Sequence, residues 1–285
     1  MKKWTKVLTG LVAVFAVGTL AACGAKKDGA SKDGASKDGV KTYVVGVASD
    51  QQKEIWEKVS ESLKADKIKI DVKLFSGYTE ENPALADGSL DLNSFQHVAY
   101  LNNYNKENKK DLTYIGYTLI SPFGLYSEKL KDPKDLKDGD TVAIPNDPTN
   151  GGRALQALEA LDIIKLKKDA PDSPEVKDIA SYNTKIEIKP IQADQLVATL
   201  PDVTAAFINT NYVTDQLHTT PKKSAIYIDT DHLEKVSDLY KNIIAVRKAD
   251  KNKEDFKKIV KAYQTPEIAK LIEKTNDYPA WEGAK

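Results

Sequence analysis

The chain has 285 residues, 42 basic side chains against 42 acidic ones, a hydrophobic share of 41% and one cysteine. Balanced charge provides no polyanion-binding surface and speaks against a nucleic-acid partner. A lone cysteine excludes an intrachain disulfide and any Cys-x-x-Cys metal or redox site.

In chain order, Lys2, Lys3 and Lys6 precede an uncharged run from Val7 to Ala22. That is an n-region and an h-region, short for a membrane-spanning helix. The run ends in Leu20-Ala21-Ala22-Cys23-Gly24, which resembles the lipobox of bacterial lipoproteins. The expectation is a signal peptide over residues 1–22, lipid on Cys23, and a protein held at the extracytoplasmic face of the cell membrane. Residues Lys27 to Gly39 then repeat Lys-Asp-Gly-Ala-Ser. Such a composition buries nothing, so residues 23–41 read as a flexible tether, and Cys23 to Thr42 spans roughly 20–25 Å as a random coil.

Thr42–Ala48 reads as a buried strand. Ile55, Val59 and Leu63 line a helix face, and Ile68, Ile70, Val72 and Leu74 alternate with charged residues. Strand, helix, strand makes a βαβ unit and a parallel sheet. Leu90–Leu92 and Thr113–Ile115 follow as short strands, with a helix over about 96–105 between them. Pro122 and Gly124 inside the apolar run 121–127 suit a crossing between lobes better than a central strand. A second α/β set runs through strand Thr141–Ile144, helix Gly152–Leu161, strand Lys185–Ile188, helix Gln192–Leu200 and strand Ala205–Ile208. The segment Lys167–Asp178, with Pro171 and Pro174, reads as a surface loop. Ala225–Ile228 and Ile243–Val246 are further strands, and two amphipathic helices around Phe256–Tyr263 and Ile268–Ile272 close the chain.

The predicted class is α/β: a two-lobed, periplasmic-binding-protein-like (type II) fold, each lobe a mostly parallel sheet flanked by helices, with hinge crossovers. Residues 42–121 form lobe one, 122–237 lobe two, and 238–285 return to lobe one. Ligands of such sheets lie beyond the carboxyl ends of the strands.

One such strand end is Ile144–Leu155. Asp147 and Thr149 are N-cap types and Pro148 suits a first turn, so a buried strand turns straight into a helix. Free N–H groups at a helix start favour an anion, and Arg153 adds a guanidinium fork. Alone, these residues are also compatible with an ordinary βα turn and a surface arginine.

No nucleophile-elbow, phosphate-loop, dinucleotide or zinc-protease motif is present, and His97, His218 and His232 are not at ligand spacing. An enzyme, a metal and a cofactor are therefore not expected. A binding site has better material in Tyr78, Phe95, His97, Tyr100, Asn146, Arg153, Asn209 and Asn242. Each has a plain structural reading as well. Phe95 would be core, His97 a hydrogen-bonder at a helix start, Asn209 a turn or N-cap, and Asn242 the start of a strand.

Together, Asn82-Pro83-Ala84-Leu85, Phe95-Gln96-His97, Tyr100-Leu101, Ile144 to Asn150 with Gly152-Arg153, and Phe207-Ile208-Asn209-Thr210 resemble the MetQ, or NlpA-type, family. These are the methionine-binding lipoproteins of ABC importers. One departure stands before Asn242, where the family's proline ahead of Tyr-x-Asn is absent. The resemblance implies methionine in an interlobe cleft, L- and possibly D-, delivered to an ABC permease and its ATPase by a monomer. Arg153 would bind the carboxylate, Asn209 and Asn242 the amino and carboxylate groups, and Tyr78, Phe95, His97 and Tyr100 the thioether. Other cargo for the same module is another amino acid or a methionine-containing dipeptide; a surface adhesin is the more distant alternative.

Overall fold

A computed structural model describes residues 39–229 and 238–283. The signal segment, Cys23, most of the tether and His232 lie outside the described residues. The first part of the chain runs β1 (Lys41–Val47), α1 (Asp50–Ser62), β2 (Ile68–Leu74), α2 (Glu81–Asp87), β3 (Leu92–Asn93), α3 (Val98–Asn108), β4 (Thr113–Tyr117) and β5 (Leu119–Ile120). Ser49 starts α1 directly after β1, its side chain accepting from Gln52 N. Ile55, Trp56 and Val59 then form the buried face of that helix. In β2, Ile68 and Ile70 are buried while Lys69 and Asp71 are exposed, the expected alternation. The strand lies at the sheet edge, so it leaves the core at Leu74, which is 45% exposed.

The chain continues through β6 (Phe123–Tyr126), β7 (Thr141–Pro145), α4 (Pro148–Ala160), β8 (Ile164–Leu166), β9 (Ile179–Tyr182), β10 (Glu187–Ile191), α5 (Leu196–Thr199), β11 (Ala205–Asn209), α6 (Thr210–Gln216), α7 (Pro221–Ser224) and β12 (Tyr227–Ile228). It ends with β13 (Ile243–Val246), α8 (Glu254–Tyr263), α9 (Pro266–Glu273) and β14 (Tyr278–Pro279).

Two five-stranded sheets carry the architecture, in the orders β2-β1-β3-β13-β4 and β10-β7-β11-β6-β12. Both are packed on two faces. In the first, one core gathers Trp56, Phe256, Ile259 and Ile272 and another gathers Phe75, Leu85 and Leu101. In the second, Leu155 and Leu158 of α4 pack with Val142 and Phe207, while Leu196 and Val213 pack with Ala143 and Ile208. The α/β class stands, with sheets that are mixed rather than mostly parallel. β1 is parallel to β2 and β3, but β13 is antiparallel to β3 and β4. Likewise β7 is parallel to β10 and β11, but β6 is antiparallel to β11 and β12. Helical crossovers force parallel pairing. β6 and β13 instead enter after the chain has passed from the other sheet, and that constraint does not act on them.

The middle of the presumed crossing 121–127 is a correction. Phe123–Tyr126 is a wholly buried strand between β11 and β12. Pro122 stands just ahead of it, where no ladder hydrogen bond is lost. The passage itself lies earlier, from the end of β4 at Tyr117 to Phe123, and β5 within it pairs with β14. β8 and β9, which the sequence did not suggest, pair antiparallel as a separate small sheet packed on the core of the second.

Candidate functional site

Residues following β3, β7 and β11 converge on one cavity. Its polar wall begins at the start of α4. Asp147 is the N-cap, and its Oδ1 accepts from Thr149 N at 3.2 Å and Asn150 N at 2.9 Å. Those N–H groups are spent on the cap, so the helix start is not the open anion site its sequence suggests. Two glycines allow this turn to pack. A Cβ on Gly151 would lie 2.7 Å from the Pro145 carbonyl oxygen, and one on Gly152 would lie 2.9 Å from Ser173 Cα.

Asp147 also sets the next side chain. Asn150 Nδ2 donates to Asp147 Oδ1 and Oδ2 at 3.2 and 3.0 Å. The Asn150 Oδ1 is thereby left as an acceptor, 3.3 Å from His97 Nε2 and 3.0 Å from Asn209 Nδ2. His97 is the N-cap of α3, its Nδ1 accepting from Tyr100 N at 3.1 Å, so the bonding pattern assigns the ring proton to Nε2. Burial, and then the nearby Arg153 charge, push the His97 pKa down to about 3. The imidazole is neutral and both nitrogens are committed; it is not placed as a general base.

Asn209 occupies the N-cap position of α6, yet its side chain makes no cap bond and turns to Asn150 instead. Its Oδ1 is buried without a hydrogen-bond partner among the described residues. The Asn242 amide is best satisfied with Nδ2 donating to the carbonyls of Phe95 at 3.1 Å and Gln96 at 3.2 Å, which leaves its oxygen as an acceptor. Arg153, 6% exposed, donates from Nε to Asp229 Oδ2 at 2.6 Å and from Nη2 to the Ser121 carbonyl at 3.1 Å. Its guanidinium carbon lies 5.1 Å from the Phe123 ring and 4.7 Å from the Tyr240 ring.

A second wall is aromatic. Tyr78, Phe95 and Tyr100 are in mutual ring contact, with centroids 5.8–6.2 Å apart. Their hydroxyls are tied off: Tyr100 donates to the Tyr78 carbonyl at 2.9 Å, and Tyr78 donates to Asn211 Oδ1. Burial raises both phenol pKa values well above the usual range. Behind this wall sits a buried amide cluster. Gln96 Nε2 donates to Asn82 Oδ1 and Asn93 Oδ1, and Asn82 Nδ2 returns a bond to Gln96 Oε1 at 2.7 Å. Nearby Glu81 is fully buried, neither carboxylate oxygen has a hydrogen-bond partner among the described residues, and desolvation pushes its pKa up to about 8.

Of the eight residues singled out from sequence, Tyr78, Phe95, His97, Tyr100, Arg153, Asn209 and Asn242 line this cavity. Asn146 does not; its backbone N donates to the Ile191 carbonyl, joining the loop to β10. Asn150, four residues on, takes the place expected for it. Gln52, Gln96 and Asn211 also line the cavity and were not singled out. Asn211 ties the two sides together, accepting from Tyr78 and donating to the Ala48 carbonyl at 3.0 Å. Among the described residues no group of His, Cys, Asp and Glu could hold a metal ion, and no helix is long and apolar enough to cross a membrane. The cavity thus offers one cation, several amide acceptors and a sulfur- or carbon-friendly aromatic face, with no nucleophile–base pair.

Comparison with known proteins finds relatives over most of the chain. The family model described as "NlpA lipoprotein" matches residues 43–282. A Vibrio cholerae protein named "Probable D-methionine-binding lipoprotein MetQ" is 36% identical over 272 residues, 95% of each chain. A solved nutrient-binding protein from Burkholderia cenocepacia, bound to methionine, is 38% identical with a TM-score of 0.77, covering 84% of this chain and 99% of its own. The substrate-binding protein of a methionine transporter from Streptococcus pneumoniae is 33% identical with a TM-score of 0.77, covering 84% of this chain and 96% of its own.

Proposed function

Because the chain belongs to the NlpA lipoprotein family, we propose that it is the substrate-binding lipoprotein of an ABC importer, capturing methionine and delivering it to the permease and its ATPase. The observation that carries this reading is one cavity lined by both a buried arginine and three contacting aromatic rings. An α-amino acid needs an anion partner, acceptors for its ammonium and a pocket for its side chain. Arg153 supplies the first, Asn209 Oδ1 and the Asn242 oxygen the second, and Tyr78, Phe95 and Tyr100 the third. His97 and Asn150 act through each other, holding Asn209 in place.

Magnitudes rank these parts. Truncating one partner of a buried charged pair costs roughly 2–5 kcal/mol. A sulfur–aromatic contact contributes about 0.3–1.5 kcal/mol. The arginine therefore sets whether an amino acid binds, and the rings set which one. Of the described residues, 42–121 with 238–283 form one lobe of the cleft and 122–229 the other. The protein acts as a monomer, does no chemistry, and is held by lipid on Cys23 at the extracytoplasmic face of the cell membrane.

Mass spectrometry of small molecules released from protein purified without added ligand tests the reading. Methionine is the expected species. A methionine-containing dipeptide, another amino acid, or no binding of either methionine enantiomer in calorimetry would overturn the assignment.

A further inference from the structure

We propose that Asp229 is the positioning residue for Arg153, fixing the guanidinium so that one edge alone is offered to a ligand carboxylate; this rests on Arg153 being the carboxylate partner. Asp229 is not among the residues lining the cavity. Its Oδ2 accepts from Arg153 Nε at 2.6 Å, and its Oδ1 accepts from Phe123 N at 2.9 Å. The carboxylate is thus itself held at two points, one of them on the first residue of β6. Ser121, two residues earlier in the same passage between the sheets, takes Arg153 Nη2 through its carbonyl. Phe123 and Tyr240 contact the guanidinium as aromatic partners. Nη1 is left without a hydrogen bond among the described residues.

The consequence is geometric. An arginine meets a carboxylate bidentately either side-on, through Nε and Nη2, or end-on, through the two Nη nitrogens. Asp229 closes the side-on fork, so a ligand carboxylate approaches the Nη1 edge. The same contact supplies a counter-ion to a guanidinium that would otherwise be buried alone, at large cost. Arg153 is then charged and aimed before any ligand arrives, which lowers the ordering cost of binding. A purely structural ion pair would tie α4 to β6 equally well, and the two roles separate in a double-mutant cycle.

In the full chain, Asp229→Asn retains size and an acceptor for Phe123 N but removes the charge. Calorimetry should show methionine affinity falling about tenfold. Arg153→Ala should fall at least as far, and the double variant no further than Arg153→Ala alone, because Asp229 acts through the arginine. An unchanged affinity in Asp229→Asn overturns the proposal, as does a double variant weaker than Arg153→Ala by the full Asp229→Asn factor. A second readout needs no ligand. The Arg153 Nε–H resonance should be shifted downfield and protected in the wild type, collapse to an exposed arginine signal in Asp229→Asn, and return in Asp229→Glu. An ordinary exposed signal in the wild type sinks the positioning role. A wild type that shows the shifted signal but binds no methionine sinks the functional reading instead and leaves the positioning of Arg153 standing.

Discussion

The two walls of the cavity are built on different principles. On the polar wall, Asp147 fixes Asn150, Asn150 takes His97 and Asn209, and Asp229 takes Arg153, so every side chain is held by a directional bond to another. That wiring leaves two loose ends among the described residues, Arg153 Nη1 and Asn209 Oδ1. On the aromatic wall the hydroxyls of Tyr78 and Tyr100 are already bonded, and the rings have only faces and edges to offer. A wall of unsatisfied, pre-aimed polar atoms discriminates steeply, since a ligand that fails to match leaves buried groups unpaired. A wall of ring faces discriminates gradually, through contact area and sulfur polarizability.

If that contrast is sound, substitutions on the two walls differ in size. Arg153→Ala should weaken methionine at least about 30-fold in calorimetry, the low end of truncating a buried charged pair. A change below threefold would mean the polar wall is not the steep one. Asn150→Ala never touches the aromatic wall, yet it strips the acceptor from both His97 and Asn209. A loss of about tenfold is expected, within the range for leaving buried donors unpaired. Phe95→Leu keeps the wall apolar and removes one ring. Affinity should fall only two- to fivefold, and norleucine, which lacks the sulfur, should be less affected than methionine. An equal loss for both ligands would show that the ring contributes area rather than a sulfur contact.

Much of the first wall was legible in sequence and less of what holds it. Asp147, Pro148 and Arg153 declare a capped helix with a guanidinium one turn in, because capping and helical spacing are local rules. The same rules could not say which asparagine turns to the cleft. Asn146 precedes the cap and Asn150 follows it, and only the bond from Asn150 back to Asp147 decides between them. Asp229 lies 76 residues from Arg153, and no periodicity links two positions that meet only through the tertiary packing of the second sheet. For the same reason the antiparallel half of each sheet left no trace. An apolar run such as Phe123–Tyr126 marks burial on both faces but carries no sign of direction. The aromatic wall was read through a family motif, Phe95-Gln96-His97, while the amide cluster beneath it was hidden because asparagine and glutamine in sequence look like surface.

The smallest expected effect on binding comes from the foundation of the aromatic wall, and it sharpens the contrast through stability. Glu81 is buried beside the amide cluster with no partner for either carboxylate oxygen among the described residues, and its pKa rises from 4.5 to about 8. In the unfolded chain the carboxyl ionises above about pH 4.5, whereas in the fold it holds its proton until about pH 8. Between those values the folded state binds one more proton, so stability is fully present at the acid end and is lost as pH rises toward 8. Glu81→Gln cannot ionise and should be free of that loss. Its melting temperature relative to the wild type should climb steadily from pH 4.5 to pH 8 and level off beyond, at roughly 2–4 °C for each kcal/mol relieved. Methionine affinity at pH 6 should stay within twofold, because Glu81 does not line the cavity. A temperature difference that is flat across this window would show that Glu81 is ionised in the fold, and that the ground under the aromatic wall is charged like the polar wall.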